Sequence, residues 1–402
     1  MAYFLLFLTC FQFLFMVIGL QQTPIYLVIN PYVILAPFFI IWLAALGFYR
    51  QTSDKSLMFF WLIFAALQVV VATAFVRSGT FPFDFVRSIQ YFWGPALLAP
   101  MLLGLFRIAS TPEKASVTTQ RYIYLLCIIA SSITLIELFA VWVLKIPPLT
   151  LPWVTKVYGT MHRPFGLPAY PQPNAVLLAL LFWLSYLHKV PGTGHRFLTF
   201  FALCLTFGAT GDITFLALIP LWTKRPVLFS GFGVLLLVAV MGAASATSQY
   251  ATNGPFSKLD FAYLQFLVDF FFRVLPLYMS RFTPNNYLLG SSTVTGKGAI
   301  GLTHDWAYFD VFYVYGILGV AVYLLLYGAA IYLACPRERS ISMRAYFTAI
   351  ALIANFHYGT LNYYVGQFLF SSLAALGLYR SYFARGGGDR LVVNGNGPDS
   401  DF

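Results

Sequence analysis

Apolar runs long enough to cross a lipid bilayer follow one another along most of this chain. A crossing helix needs roughly 20 predominantly apolar residues. By that measure the pattern predicts clear spans at about 3–20, 25–49, 57–76, 88–106, 122–144, 174–187, 227–245, 306–334, 345–358 and 363–383. The first run has neither a basic segment before it nor a small-residue cleavage site, so we interpret it as a retained span. The pattern therefore predicts an all-α polytopic membrane protein.

Region 197–222 decides the number of crossings, because Gly208, Gly211 and Asp212 interrupt an apolar run that is long enough for one span. Lys and Arg in short loops near span ends mark the cytoplasmic side. The basic short loops are 50–56, 107–121, 188–196, 223–226 and 335–344. These loops lie on the same side of the membrane only if region 197–222 enters the membrane and returns to the side from which it entered. It would then form two short helices or a re-entrant pair that turns at GATGD. We therefore predict about twelve crossings, with both termini in the cytoplasm.

Two outer segments, about 145–173 and 246–305, are much longer than the other predicted outer loops. Prolines punctuate the first segment and forbid a long helix there. The stretch 259–279 in the second is apolar, but a crossing there would move the last basic loop outside. We therefore predict that this stretch is a helix lying in the outer interface. Residues 1–383 form a single predicted membrane domain, and the Gly- and Asn-rich tail 384–402 is predicted to be disordered.

The composition agrees with this layout and argues against several functions. Only 9% of the residues are charged and 60% are hydrophobic, with a mean hydropathy of +0.77, whereas soluble domains carry about 25% charged residues. The net charge of +11 reports loop orientation, and since no basic cluster lies in a soluble domain, we predict no nucleic-acid partner. The four cysteines and five histidines lack disulfide or metal-ligand spacing, so we predict neither a disulfide framework nor a metal site.

Cationic side chains in the outer segments are the first candidates for ligand binding. Arg163, Arg281 and Lys297 lie near the predicted outer surface of the bilayer. A guanidinium binds phosphate through two parallel hydrogen bonds and an ammonium acts as a point charge, so a lipid pyrophosphate is the anion they would meet at that depth. The alternative is that each reaches lipid headgroups or pairs with an acid such as Asp260. The sharper hypothesis is that several of them converge on one anion.

His304 and Asp305 stand together at the boundary between the second outer segment and the following span. An imidazole titrates near neutrality, so His304 could act as a general base toward a sugar hydroxyl. The alternative is a structural one, in which Thr303 or Asp305 caps the helix that starts near Trp306. Asp310 lies five residues beyond Asp305, about 7.5 Å along a helix and on a different face. The pair therefore matters more than a trio with Asp310.

Acids within predicted spans are functional candidates by default, because a charge in the membrane is costly. Asp310 and Asp212 are such auxiliary candidates, and Asp212 could cap a half-helix or face a cavity. For Glu137 in the fifth span, we favour a neutral side chain or one satisfied by a tyrosine. His162 and Tyr170 are polar groups in the first outer segment, and His162 is a further auxiliary candidate.

Four local sequences, in a fixed order along the chain, carry a resemblance to a known family. They are Arg163-Pro-Phe-Gly166 followed by PQPN, SRFTPNNYLLGSS (280–292), HDWAYFDVFYVYGILGV (304–320) with its Gly316-Ile-Leu-Gly319, and GTLNYY (359–364). With twelve spans and two enlarged outer loops, they resemble the O-antigen ligase and Wzy-type polysaccharide polymerase superfamily of C-type membrane glycosyltransferases. The chain departs from the family where Thr210-Gly-Asp212 lacks an Arg and where Asp305 replaces Asn. Polymerases vary more than ligases at the second position, so the resemblance favours a polymerase.

The resemblance implies a bacterial inner-membrane enzyme of polysaccharide biosynthesis. It would transfer the growing glycan from undecaprenyl diphosphate to the next lipid-linked repeat on the periplasmic face, with inversion at the anomeric carbon and without a metal or cofactor. Its partners would be undecaprenyl-diphosphate-linked oligosaccharides as donor and acceptor, membrane lipids and, as further candidates, a chain-length regulator and a flippase. The alternatives are an O-antigen ligase, which moves finished glycan to lipid A core or protein, and a twelve-span secondary transporter.

The resemblance also implies roles for individual residues. Arg163 and Arg281 would bind the donor diphosphate, with Lys297 as an auxiliary cation. His304, helped by Asp305, would orient or deprotonate the acceptor hydroxyl. The further candidates for the diphosphate site are Arg273 and Tyr170.

Overall fold

A computed structural model of the chain describes residues 1–17, 94–109, 112–151, 162–223, 283–290, 307–356 and 360–386, with single positions at 37, 226, 276 and 280. Within these residues the chain is helical and contains no β-strand. The α-helices are α1 (Ala2–Val17), α2 (Gly94–Ala109), α3 (Pro112–Leu138), α4 (Pro171–Leu187), α5 (Gly194–Cys204), α6 (Ala209–Ala217), α7 (Pro284–Leu289), α8 (Ala307–Ala334), α9 (Ile341–Ala354) and α10 (Tyr364–Gly386). Short turns of π- or 3-10 helix lie at Phe139–Val143, Pro148–Thr150, Ile219–Trp222 and Thr360–Asn362.

Two of the described helices have the length and hydropathy of membrane spans. They are Lys114–Val143, which joins α3 to its π-helical turn, and Tyr315–Ala334 within α8. Shorter apolar helices lie at Ala2–Leu14, Thr210–Trp222 and Ile341–Ala354. These helices indicate a membrane protein.

Each predicted span that falls on described residues overlaps a helix. The spans at 3–20, 88–106, 122–144, 174–187, 345–358 and 363–383 correspond to α1, α2, α3, α4, α9 and α10. α4 begins at Pro171, since proline suits the first turn of a helix, so the first outer segment ends earlier than predicted. α10 runs on to Gly386, into the segment predicted to be disordered. The predicted elements 25–49, 57–76, 227–245 and 259–279 lie outside the described residues, apart from Pro37 and Pro276, which are helical.

Contacts between the helix ends give the bundle two distinct ends. At one of them His188 Nε2 donates to the Ala334 carbonyl at 2.9 Å, and Arg380 pairs with Glu338 at 2.7 Å. We call this the basic end; it comprises the start of α3, the ends of α4, α8 and α10, and the loops 188–193 and 335–340. The opposite end, which we call the Glu137 end, comprises the end of α3, the turn 162–170, the end of α9 and the starts of α4 and α10. Three of the predicted cytoplasmic loops, around 121, 190 and 338, thus share the basic end.

α10 is the central helix of the described bundle. It packs against α1, α2, α3 and α8, and its residues 364–376 are all buried. The rings of Tyr379 and Phe106 lie 6.3 Å apart, which joins α10 to α2. Nearby, the hydroxyls of Thr9 and Tyr122 share a 2.6 Å hydrogen bond between α1 and α3. Packing around α10 therefore fixes the positions of α3 and α8, whose ends carry the candidate site.

The predicted pair of short helices within 197–222 is confirmed. α5 ends at Cys204, and α6 begins at Ala209 with Gly208 as its N-cap. Each is about 14–17 Å long at 1.5 Å per residue, well short of a bilayer core of about 30 Å. The turn comprises residues 205–208 and ends at the first residue of GATGD, so it lies slightly earlier than predicted. Asp212 lies in the first turn of α6 and is not its N-cap, which corrects the predicted capping role.

Two hydrogen bonds show that the short pair returns to the end from which it starts. Trp183 Nε1 donates to the Phe215 carbonyl at 3.2 Å, which seats α6 on α4. Tyr346, near the start of α9, donates its hydroxyl to the Ala217 carbonyl at 2.6 Å. α6 therefore ends close to the basic end, as the distribution of the basic loops predicts.

The predicted span 306–334 is not one straight helix. Gly316 within α8 has φ +66° and ψ −165°, a region of backbone space open essentially to glycine alone. The rings of Tyr308 and Tyr323 lie 5.7 Å apart, although a straight helix would separate their Cα atoms by about 22 Å. The chain therefore turns sharply at Gly316. The sequence pattern misses the bend because the apolar run continues through it.

Candidate functional site

The Glu137 carboxylate is the buried centre of the Glu137 end. It is 0% exposed, and it accepts hydrogen bonds from His162 Nε2 at 2.9 Å and from the backbone N–H groups of Phe165 and Gly166 at 3.0 and 3.1 Å. An acid at this depth needs such donors, because an unpaired buried charge is strongly unfavourable. The His162 ring also stacks on Phe165, with centroids 5.8 Å apart. Residues 162–166 therefore wrap around one side chain of α3.

Gly166 and Asn174 join this turn to α4. Gly166 has φ +56°, and a Cβ there would overlap the side-chain amide of Asn174. Asn174 is fully buried and donates from Nδ2 to Thr134 Oγ1 at 3.0 Å, with a longer contact of 3.5 Å to the Pro164 carbonyl. Thr134 lies nearly one turn before Glu137 on α3. One buried polar network therefore holds α3, the turn and α4 together, and it explains why the sequence has glycine and asparagine at these positions.

Arg163 lies in the middle of the turn, and its side chain is half-buried. None of the described residues forms a hydrogen bond or ion pair with its guanidinium. The Glu137 side chain is bonded to His162 and to backbone N–H groups. Within the part of the chain that the structure describes, the Arg163 guanidinium therefore has no ionic partner, and its planar fork suits a phosphate or a carboxylate.

Aromatic and hydroxyl contacts tie the same turn to the start of α10. Tyr170 is the N-cap residue of α4, and its ring lies 6.4 Å from Phe165 and 6.1 Å from Tyr363. Thr360 Oγ1 donates to the Pro173 carbonyl at 3.4 Å. The sequence GTLNYY, which precedes α10, thus contacts the turn that carries Arg163.

The short helix pair reaches the same place. A Cβ on either Gly208 or Gly211 would overlap Ala175 in the first turn of α4, so glycine at both positions lets α6 approach α4 closely. Asp212 follows in the first turn of α6 and is half-buried. An acid at this position interacts favourably with the positive end of the helix dipole. Thr210-Gly-Asp212 therefore lies beside the start of α4, as part of the same end of the bundle.

The segment that follows Arg281 packs against the bend in α8. A Cβ on Gly316 would overlap the backbone of Leu288 and Gly290, so α7 and the bend approach each other backbone to backbone. Arg281 precedes α7 by a few residues, and His304 precedes α8 by a few residues. The packing of α7 on α8 thus brings the two segments that lead from these residues into contact.

Several predicted site residues lie outside the described residues: Arg273, Arg281, Lys297, His304 and Asp305. Asp310 lies on α8 before the bend. Two positions earlier, Tyr308 donates its hydroxyl to the Leu352 carbonyl in the last turn of α9. The structure therefore places the start of α8 against the end of α9, and it brings His162, Arg163, Tyr170 and Asp212 to the same end of the bundle.

The sequence predicts a neutral side chain or a tyrosine partner for Glu137. The structure corrects the predicted partner, because the donors to its side chain are His162, the Phe165 N–H and the Gly166 N–H. The available signal was an acid inside a predicted span. Its partner His162 lies 25 positions away, across a proline-rich loop, and no helical or turn spacing rule links two residues so far apart.

Comparisons with known proteins assign this chain to no family. No protein-family model matches it, and a search of the curated proteins finds no match. The geometry of the site comprises a buried carboxylate, a turn wrapped around it and a half-buried arginine in the middle of the turn.

Proposed function

We propose that this chain is a polymerase of lipid-linked polysaccharide repeat units. It transfers the growing glycan from undecaprenyl diphosphate to the next lipid-linked repeat on the periplasmic face of the bacterial inner membrane. It acts as an inverting glycosyltransferase in which fixed cationic side chains, and no metal ion, stabilise the leaving group.

One observation carries the proposal: the sequences that resemble the family's motifs contact one another in two pairs. The Arg163 turn meets GTLNYY through Tyr170 and Tyr363, whose rings are 6.1 Å apart. The segment after Arg281 meets the Gly316-Ile-Leu-Gly319 motif at its first glycine. These pairwise contacts support the proposal that the four matches belong to one site.

The proposed layout has about twelve crossings, with both termini in the cytoplasm. The basic end then faces the cytoplasm, because it holds short loops rich in Lys and Arg, and the Glu137 end faces the periplasm. The short pair α5–α6 supports this layout, since it starts at the basic end and returns toward it. The enlarged segments 145–173 and 246–305 both connect to helices whose ends lie at the Glu137 end.

Binding and activation of the donor fall to the cations. Arg163 and Arg281 hold the donor diphosphate, and Lys297 contributes a third positive charge. Negative charge grows on the diphosphate as the bond between its oxygen and the anomeric carbon breaks. Donors that already point at that oxygen stabilise the transition state without reorganising, and two or three fixed cations supply the charge that a metal ion would otherwise provide.

Activation of the acceptor falls to His304, which Asp305 orients. The imidazole takes the proton from a hydroxyl of the next lipid-linked repeat. The hydroxyl oxygen forms a bond to the anomeric carbon while the bond to the diphosphate oxygen breaks, and the electron pair leaves with the diphosphate. A single displacement of this kind inverts the configuration at the anomeric carbon.

A reconstituted assay tests the proposed function. The purified protein in lipid nanodiscs is given a lipid-linked repeat unit, and the products are separated by size. We expect a ladder of lipid-linked products with increasing numbers of repeats, unchanged by EDTA. Loss of the ladder in EDTA would contradict the metal-independent mechanism. If folded protein failed to convert the substrate at all, the proposed polymerase activity would be wrong.

A strain that lacks the gene separates the polymerase from the ligase alternative. Without a polymerase, single repeats reach the final acceptor, whereas without a ligase, full-length polymer stays on the lipid carrier. We expect single-repeat products. Full-length glycan retained on undecaprenyl diphosphate would favour the ligase.

A further inference from the structure

We infer that Glu137 is a positioning residue, whose buried carboxylate holds the turn 162–166 so that the Arg163 guanidinium faces the diphosphate of the lipid-linked donor. The inference rests on the proposed function, because it assumes that Arg163 binds this diphosphate. Glu137 touches no reacting atom itself. It acts through the backbone and through His162.

The hydrogen bonds to Glu137 come from both sides of Arg163 along the chain. The donors to the Glu137 carboxylate are His162 Nε2, the Phe165 N–H and the Gly166 N–H. These groups belong to the residue before Arg163 and to the residues two and three positions after it. A carboxylate bound on both sides of Arg163 fixes the backbone from which its side chain leaves. Successive backbone N–H groups in a turn form a concavity that binds an anion, and here the anion is the Glu137 side chain.

The partners of the Glu137 carboxylate do not include the Arg163 guanidinium. An acid beside an arginine usually pairs with it, and such a pair would occupy the guanidinium. Here the carboxylate is occupied by His162 and by backbone N–H groups, and none of the described residues forms an ion pair with Arg163. Glu137 therefore orders the turn while Arg163 keeps its capacity to bind an anion. If the carboxylate bound the guanidinium directly, it could order the turn, but Arg163 would no longer be able to bind the diphosphate.

Stability alone does not explain a buried acid at position 137. Replacement of a buried ionic group by apolar side chains of similar volume is often neutral or stabilising. A buried carboxylate with an imidazole and two N–H donors is therefore a poor device for stability, but it defines one conformation of the turn. Gly166 with its positive φ and the fully buried Asn174 restrict that conformation further.

A double-mutant cycle between Glu137 and Arg163 tests the inference. The variants are Glu137→Ala, Arg163→Ala and the double variant, all in nanodiscs. The readouts are the initial rate of glycan transfer and the inhibition constant of sugar-free undecaprenyl diphosphate, which probes binding at the diphosphate site. We expect each single variant to raise the inhibition constant at least tenfold. We expect the double variant to equal Arg163→Ala, because Glu137 acts through Arg163.

The cycle separates the failure of the inference from the failure of the proposed function. Wild-type rate and inhibition constant in Arg163→Ala would refute the diphosphate role of Arg163. A raised constant in Arg163→Ala beside an unchanged one in Glu137→Ala would refute the positioning role alone. Multiplying effects in the double variant would refute it too, since they would show that Glu137 acts independently of Arg163.

Two further variants guard against a loss of folding. Glu137→Gln keeps the side-chain length and one acceptor oxygen, so we expect a wild-type melting temperature and a smaller rise in the inhibition constant, which again disappears in the Arg163→Ala background. If Glu137→Ala does not fold, this variant carries the test with the same outcomes. Glu338→Ala removes an exposed acid that pairs with Arg380 at the basic end, and it should leave both readouts unchanged.

Discussion

The two ends of the helix bundle use their cationic side chains differently. At the basic end, Arg339 donates to the carbonyls of Tyr186 and Leu187 at 2.8 and 2.9 Å and lies over the Tyr186 ring. Arg196 donates to the Val190 carbonyl at 2.7 Å. These arginines satisfy carbonyls at and just beyond the end of α4, where a helix leaves its last acceptors without partners and carries partial negative charge. The basic end thus uses its cations to complete its own structure.

The Glu137 end reverses this arrangement. Its backbone donors go to a buried carboxylate, while Arg163 has no partner among the described residues. A π-helical turn follows α3, and Ala169 and Phe207 have positive φ values although neither is glycine, as does Lys189 at the basic end. The basic end therefore satisfies its arginines internally, whereas the Glu137 end leaves an arginine without a partner among the described residues, as the proposed binding of an anion requires.

Replacement of one arginine at each end by alanine should give the largest difference in the rate of glycan transfer. Arg163→Ala should lower the rate of glycan transfer about 100-fold or more, as the loss of a single charge-stabilising donor does in other active sites, with little change in melting temperature. The transfer rate of Arg163→Lys should lie between those of the wild type and Arg163→Ala, because an ammonium keeps the charge but not the bidentate geometry. The measurement is the initial rate per folded molecule in the nanodisc assay.

Arg339→Ala is the matched variant at the basic end. It removes two hydrogen bonds to helix carbonyls, so it should destabilise the protein by about 1–2 kcal/mol and lower the melting temperature, yet leave the rate per folded molecule unchanged. If Arg163→Ala behaved like Arg339→Ala, the proposed division between the two ends would be wrong.

Gly316→Ala should give an intermediate effect through the backbone of α8. Alanine at φ +66° and ψ −165° costs about 1–3 kcal/mol, and its Cβ would meet the backbone of Leu288 and Gly290. We expect a lower melting temperature in thermal unfolding and reduced transfer, because α7 would be displaced from the bend.

Gly328 provides the control within the same helix. A Cβ there would meet nothing closer than Leu352 Cδ1 at 3.6 Å, an ordinary contact. Gly328→Ala should therefore be neutral or stabilising by up to about 1 kcal/mol. Equal melting temperatures for the two variants would show that the bend at Gly316 does not need glycine.

The sequence predicted the helices better than it predicted their interruptions. Apolar runs and basic loops predicted the helices α4, α9 and α10 and the short pair α5–α6. Spans and their connecting loops are recognisable in the local sequence as runs of apolar residues and clusters of Lys and Arg. The bend at Gly316 left none, since a glycine within an apolar run is compatible with a straight helix. The pairing of Glu137 with His162 depends on tertiary contact across a loop. The sequence predicted Arg163 as a candidate from its residue type. The hydrogen bonds between Glu137 and the turn that carries Arg163 are visible only in the folded structure.

The smallest expected effect concerns His188, which links the ends of α4 and α8 at the basic end. Burial lowers the pKa of His188 from 6.5 to about 4, although its bond to the Ala334 carbonyl opposes this shift. The folded chain then binds fewer protons than the unfolded chain between these two values. The stability that neutral His188 contributes is therefore complete above pH 6.5 and is lost as the pH falls toward 4.

Thermal melting of the detergent-solubilised protein between pH 7.5 and 4.5 measures this loss. We expect the wild-type melting temperature to fall more steeply with acid than that of His188→Gln, because glutamine can keep a donor near the Nε2 position but does not titrate. The gap between the two proteins should open below about pH 6.5, where the unfolded imidazole begins to bind protons. If the melting temperatures of the two proteins fell in parallel with pH, protonation of groups other than His188 would cause the loss of stability. His188 would then stabilise the packing of α4 on α8 through its hydrogen bond alone.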